Sequence, residues 1–341
     1  MRFRPVLLLS AALLLIAGCC KDDDDETTYL SFVGSPEFTI PPFIKTGETF
    51  TLTPAEVQRA SSDTKTELPG CYWSISQLDI RDTLRREGDP ASASTTFIFD
   101  VPDTLQTITV LCAMFADGYT NSSESYSSII VRTQGANRSL QGYNRPIPIY
   151  RDARDGRLYH YTTAAGLDWM SDNLAYNGFG YSYYDCEVMD DLFGRYYSWN
   201  DAKQACPEGW RLPTNEEFLA FSNAWGGTPS TIANQPFKTG AGKLMANAYF
   251  NGTRMWEYWP DVTPTNESGL CLLPLGYVSI QGESAAHLDV LKYSLFWTGD
   301  EYNEDQAYFR SVYMKYDTIN CETGYKDYMG LNVRCVRNHA D

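Results

Sequence analysis

From Thr28 to Arg132 apolar and polar residues alternate in short runs, each stopped by turn-forming residues at regular spacing. A side-chain period of two marks a half-buried strand, so the pattern predicts strands over Thr49–Leu52, Cys71–Ile75, Thr95–Phe99, Ile108–Phe115 and Tyr126–Val131. No stretch of this region has helical period, and strands this short and this regular predict an all-β sandwich over residues 28–132. Alternation sets Cys71 with Trp73 on one strand face, and Ile108, Val110, Cys112 and Met114 on one face of another. Both cysteines therefore point into the core, as a disulfide or as two buried thiols.

A polar stretch over 133–139 reads as a linker, and a second domain over 140–341 has a different pattern. Ser198-Trp199-Asn200-Asp201 has the form of a helix N-terminal cap, after which Trp199, Ala202 and Cys206 share a helical face until Pro207. Thr214-Asn215-Glu216-Glu217 follows Pro213 as a capping box, and Phe218, Phe221 and Trp225 form a stripe that ends at Gly226-Gly227. Strands are expected later, over Leu270–Val278, Phe296–Thr298, Ala307–Tyr316 and Leu331–Val336, which makes this domain α+β and rich in loops.

Charge narrows the partners. The 341 residues carry a formal net charge of -16, with a pI near 4.6, so nucleic acid and anionic lipid surfaces are repelled rather than attracted. At the N-terminus, Arg2 and Arg4 precede an apolar run from Val6 to Ala17 that is too short to span a bilayer. Ile16-Ala17-Gly18-Cys19 closes the run and resembles the bacterial lipobox, which implies a signal peptide over 1–18 and lipidation of Cys19. Residues 19–27 include Lys21-Asp22-Asp23-Asp24-Asp25-Glu26, a like-charged run with nothing to bury that reads as a solvated tether. It is similar to the export tract of Bacteroidetes surface lipoproteins, which implies an outer-membrane protein facing outward; a periplasmic spacer is the alternative.

Three blocks in the second domain carry a further resemblance: Asp168-Trp169-Met170-Ser171-Asp172-Asn173-Leu174, Gly194-Arg195-Tyr196-Tyr197-Ser198-Trp199-Asn200-Asp201-Ala202 and Ala205-Cys206-Pro207-Glu208-Gly209-Trp210-Arg211-Leu212-Pro213-Thr214. Trp297-Thr298-Gly299-Asp300-Glu301 and Gly330-Leu331-Asn332-Val333-Arg334-Cys335-Val336 follow in the same order. Together they resemble the Fibrobacter succinogenes major paralogous domain, itself similar in fold to C-type lectins and formylglycine-generating enzymes. The resemblance implies a C-type-lectin-like fold and a Cys206–Cys335 disulfide. The strands over 28–132 are similar in layout to immunoglobulin-like or PKD-like modules. Cys186, Cys271 and Cys321 are left over, an odd number, so at least one is expected free or paired elsewhere, with Cys271–Cys321 one pairing among those open.

Catalytic residue types are sparse. His160, His287 and His339 lack metal-ligand spacing, and no nucleophile elbow, phosphate loop or dinucleotide fingerprint occurs. Formylglycine-type chemistry would use a cysteine pair near the C-terminus, where Cys321 and Cys335 stand without the accompanying pattern. Glu257, Asp261, Asp300 and Glu301 are expected on the solvated surface. No cofactor is expected; calcium is an open alternative without support, since Pro260-Asp261 and Pro264-Thr265-Asn266 are only fragments of a lectin loop. Met255-Trp256-Glu257-Tyr258-Trp259-Pro260-Asp261 joins aromatic faces to hydrogen-bonding groups, the chemistry a sugar ring needs. A glycan platform is expected at Trp256, Tyr258, Trp259, Asp261, Asn266, Asp300 and Tyr302, with Tyr249 nearby. The expected activity is binding rather than catalysis, of a carbohydrate or else of a surface protein.

Overall fold

The computed structural model describes residues 28–65, 68–85, 93–135, 138–226 and 230–340. The expected signal peptide, Cys19 and the expected acidic tether lie outside the described residues. The chain divides between Ile130 and Val131 into two compact units.

In the first unit lie β1 (Phe43–Lys45), β2 (Thr49–Leu52), β3 (Gly70–Ile75), β4 (Ile80–Arg85), β5 (Thr95–Ile98), β6 (Thr107–Phe115) and β7 (Ser122–Val131). One sheet has the order β1-β7-β6-β3-β4, and β2 pairs with β5 in a second. Leu52 and Phe97 of the small sheet share one core with Trp73, Ile75, Ile108, Val110 and Met114 of the large one. Trp73 is fully buried and keeps its indole satisfied by donating to the Ala93 carbonyl at 2.9 Å. β7 begins four residues before the apolar run that signals it, because its first half alternates exposed and half-buried polar residues on a single-sided sheet.

Cys71 and Cys112 meet in this core as thiols, sulfur to sulfur 3.5 Å, and not as the disulfide that was one of two expectations. They are diagonal across β3 and β6, with Cys71 opposite Met114 and Cys112 opposite Trp73.

The second unit runs through β8 (Leu140–Gln141), β9 (Ile149–Arg151), β10 (Leu158–Ala164), β11 (Leu167–Met170), α1 (Asp190–Phe193), α2 (Trp199–Ala205), α3 (Asn215–Trp225) and α4 (Ala241–Leu244). It continues with β12 (Tyr249–Phe250), β13 (Thr253–Arg254), β14 (Tyr277–Gln281), β15 (Ser284–Leu288), β16 (Tyr293–Glu301), β17 (Gln306–Tyr313), β18 (Ile319–Tyr325), β19 (Met329–Gly330) and β20 (Val336–Asn338). Small sheets result, ordered β20-β11-β10-β9, β13-β12-β8, β15-β14-β19 and β16-β17-β18. The unit is β-rich with short helices.

Both caps form as local chemistry dictates. Thr214 Oγ1 accepts from Glu217 N at 3.1 Å while Glu217 Oε2 accepts from Thr214 N at 2.9 Å, and Ser198 Oγ accepts from Asp201 N at 3.1 Å. Two expected strands differ. Residues 270–276 are irregular, and β14 begins only at Tyr277, because Cys271 and Gly276 take positive φ and turn the chain. Residues 331–335 form no continuous strand: Leu331 bridges Tyr197, Asn332 bridges Phe296, and Val336 bridges Arg211.

That closing segment is the centre of the unit. The Val333 and Cys335 carbonyls accept from Leu174 N and Met170 N, and Cys335 is bonded to Cys206 just past α2. Arg334, 1% exposed, donates to the carbonyls of Leu270, Met170 and Cys271.

Candidate functional site

The expected seven-residue platform does not assemble. Trp256 is fully buried and donates to the Leu272 carbonyl at 3.0 Å, so it belongs to the core beside α4 and presents no face to a ligand. Asn266 is spent on its own loop: Oδ1 accepts from Cys271 N at 2.8 Å and Nδ2 donates to the Asn144 carbonyl at 3.0 Å. Asp300 Oδ2 accepts from Asn215 N at 2.5 Å and so caps α3. Tyr302 lies in the turn between β16 and β17, exposed and edge-on to Tyr308.

Tyr258, Trp259 and Asp261 remain together, and the structure adds partners that sequence reading missed. Asp261 sits exposed in the turn that Trp259 and Val262 close, and Thr263 and Thr265 after it are exposed while Val262 and Pro264 are buried. Asp261, Thr263 and Thr265 line a groove of about 310 Å³ whose wall also includes Lys243, Glu267 and Asp317. Asp317 holds that wall in place by accepting from Gly240 N and Gly242 N, each at 2.9 Å.

A row of aromatic rings runs from β16 to Tyr316, the chain neighbour of Asp317. Tyr293 stacks on Tyr313 at 4.4 Å between centroids, and Tyr313 lies 5.6 Å from Tyr316, which is 63% exposed. Lys315 stands over the Trp259 ring, Nζ 4.3 Å from its centroid. Trp259 is half-buried and packs its other contacts on the core, and Tyr258 next to it is exposed. The alternation in Asp261-Val262-Thr263-Pro264-Thr265 was readable in the chain. Its meeting with Lys315 and Asp317 was not, because that depends on the turn after β17.

The cysteines sit apart from this groove in their contacts. Cys271 is buried, in contact with Asn266 Nδ2 at 3.0 Å, and burial pushes its thiol up to about 11. Cys321 lies on β18 opposite Arg310, its sulfur 3.8 Å from Asn215 Oδ1. The expected Cys271–Cys321 pairing is therefore not formed: Cys271 meets Asn266 of its own loop, whereas Cys321 meets Asn215 at the start of α3. Cys335 is bonded to Cys206, so Cys321 and Cys335 do not make a thiol pair.

Each histidine has a fixed partner. His160 Nδ1 is 2.8 Å from Asp172, and His339 Nδ1 is 2.7 Å from Asp168. His287 stacks on Tyr184 at 4.5 Å, meets Tyr183 and Tyr196 edge-on, and accepts from Tyr184 N through Nε2 at 3.0 Å. That bond holds two successive left-handed residues, Tyr184 and Asp185, at φ 48° and 57°. Burial lowers the His287 pKa below its ordinary value, against the opposing pull of Asp185. The neutral ring is thus the folded form, and its stabilisation is complete above the unfolded pKa near 6.5 and is lost as pH falls from there toward the lowered folded value. We expect the thermal midpoint to drop between pH 7 and pH 5, and His287→Gln, which keeps an acceptor but cannot charge, to flatten that drop; an equal drop in the variant would assign the acid sensitivity elsewhere.

Among the described residues no group of three or more His, Cys, Asp and Glu side chains is placed to hold a metal, and no helix is long and apolar enough to cross a membrane. A Trp-Asn-Asp triplet of the kind found in calcium-binding lectins does occur at Trp199–Asp201, but it forms the first turn of α2. Asn200 there bonds Asp327, and the Trp199 ring lies under the ammonium groups of Lys203 and Lys326.

A disulfide-stapled, β-rich unit with two capped helices and a closing Gly-Leu-Asn-Val-Arg-Cys-Val segment defines the class. The chain belongs to the Fibrobacter succinogenes major domain family, whose profile matches residues 162–337. No curated protein and no solved structure matches the chain.

Proposed function

We propose that this protein is an exported lipoprotein that binds carbohydrate, anchored to the outer membrane through Cys19 and presented outward by its acidic tether. In this reading the first unit is an immunoglobulin- or PKD-like spacer and the second a C-type-lectin-like binding unit. The observation that carries the binding role is the groove lined by Asp261, Thr263 and Thr265, whose lining residues Asp261 and Asp317 lie within two positions in the chain of Trp259 and the exposed Tyr316. Aromatic faces match the apolar faces of pyranose rings, and the carboxylate and hydroxyls of the groove accept and donate hydrogen bonds to sugar hydroxyls. Screening the full chain on a glycan array, with and without EDTA, should give hits that Tyr316→Ala and Asp261→Ala abolish and EDTA leaves intact. Hits unaffected by both variants would remove the site, and a silent array would remove the function.

A second reading has its own observation. Ile147, Ile149 and Leu158 are 92%, 50% and 57% exposed around the edge strand β9, a surface that suits an apolar protein partner better than a sugar. A stoichiometric protein captured from envelope extract and lost on Ile149→Lys would favour it.

A further inference from the structure

In the first unit β7 is paired with β6 along one side and open along part of the other. Ile130 N donates to the Gln106 carbonyl, so the even-numbered residues of β7 turn their main-chain groups toward β6 and the odd-numbered ones turn theirs away. Of the odd residues, Ile129 donates to the Pro42 carbonyl, and Pro42 has no N–H to give back. The main-chain groups of Ser123, Ser125 and Ser127 make no hydrogen bond among the described residues, and all three residues are exposed. Serine hydroxyls frame this open row, Ser128 Oγ donating to the Pro41 carbonyl at 2.6 Å and Ser122 Oγ to the Gly34 carbonyl at 3.3 Å. A groove of about 800 Å³ adjoins it, lined by Ser125, Tyr126 and Ser127 and by Glu37, Phe38 and Ile40 of the segment before β1. Phe38 meets Tyr126 edge-on at 4.7 Å and both pack on the core, which gives the groove an apolar side. Glu37 is the single charge among the described lining residues, exposed and in no ion pair among them.

We propose that this open edge of β7 receives an extended segment of another protein, bearing lysine or arginine, as an added strand, which makes the first unit a docking module and not a spacer alone. The unpaired N–H and C=O groups recur at the two-residue period of a strand, which an extended peptide matches and a sugar does not. Apolar side chains of that segment lie on Phe38, Ile40 and Tyr126, and its basic residue pairs with Glu37. Burial raises the Tyr126 pKa and the charges of Glu124 and Glu37 raise it further, so two carboxylates already reach the polar end of that ring. A second copy of this chain fits worse: its own edge, Ser123-Glu124-Ser125-Tyr126-Ser127, offers Glu37 no cation, and two chains of net charge -16 repel.

The test is fluorescence anisotropy of the full chain with two labelled octapeptides, one alternating valine with threonine and lysine, the other with glutamate in place of lysine. The lysine peptide should bind about tenfold more tightly, and Glu37→Gln should narrow that gap to about twofold. Ser125→Pro should weaken binding of the lysine peptide by about tenfold, because it removes an N–H that β7 does not use internally and that a strand edge can lose. In the wild-type protein, hydrogen exchange at the amides of Ser123, Ser125 and Ser127 should slow when the lysine peptide is added, a readout that stands whether or not the proline variant folds. No binding of the lysine peptide, equal binding of the two peptides, or binding without slowing at these amides overturns the proposal. Affinity unchanged in a folded Ser125→Pro is attraction of a cation to an acidic protein and overturns it as well. Self-association in sedimentation that Ser125→Pro abolishes would give the edge to a second copy and remove the foreign partner.

Discussion

Removing the Cys206–Cys335 bridge should lower the unfolding free energy of the second unit by about 4–5 kcal/mol and leave the first unit's transition where it is. The bond joins residues separated by 129 positions, so in the unfolded chain it closes a loop that spans most of the unit. Chain-entropy cost grows only with the logarithm of loop length, yet a loop this long already lies near the top of the usual range. The unit depends on it for a second reason: its strands form four small sheets rather than one, and the segment carrying Cys335 meets its neighbours through isolated bridges. Urea unfolding of the Cys206→Ser, Cys335→Ser double variant, beside the wild-type protein with and without reductant, measures the effect. A shift below about 1 kcal/mol would mean that the reduced unfolded state is already constrained.

Arg334→Met should cost about 3–5 kcal/mol, although the side chains are alike in length and the arginine has no carboxylate partner among the described residues. Its guanidinium donates at 2.8 Å to the Leu270 carbonyl, at 3.1 Å to that of Cys271 and at 3.3 Å to that of Met170. One side chain thereby satisfies carbonyls of the irregular 270–271 segment and ties them to the end of β11. Methionine fills the space but leaves these acceptors dry, at roughly 1–3 kcal/mol each before relaxation. Arg334→Lys should recover only part of the loss, because a single ammonium cannot serve all three acceptors in the planar fork geometry. Denaturant midpoints of the three proteins check this; a methionine variant as stable as wild type would show that the loops rearrange to satisfy themselves. Arg310 repeats the device, fully buried between Phe218 and Phe237 and donating to Asn215 Oδ1 and the carbonyls of Gln235 and Ala233. Burial lowers its pKa, the direction expected for a cation denied water.

What could be read in the chain follows the range of the interactions. The caps at Ser198 and Thr214 and the strand faces around Cys71 and Cys112 are local, set by side chains a few residues apart, and they form where the pattern places them. Trp256 and Trp259 look interchangeable in sequence, but one meets the Leu272 carbonyl and α4 while the other meets Lys315, and neither partner is near in the chain. Aromatic density drew attention to the loop and could not say which ring stays out. Asp300 failed as a site residue for the same reason, since its partner, the first amide of α3, lies 85 residues earlier. The Cys206–Cys335 bond came from family resemblance rather than from local pattern.

Hydrogen exchange of the full chain, with and without a saturating oligosaccharide that it binds, addresses the central claim most directly. Protection should appear over 259–265 and 315–317 and nowhere comparable in the second unit. Protection confined to the turn around Tyr302, or to the first unit, would contradict it.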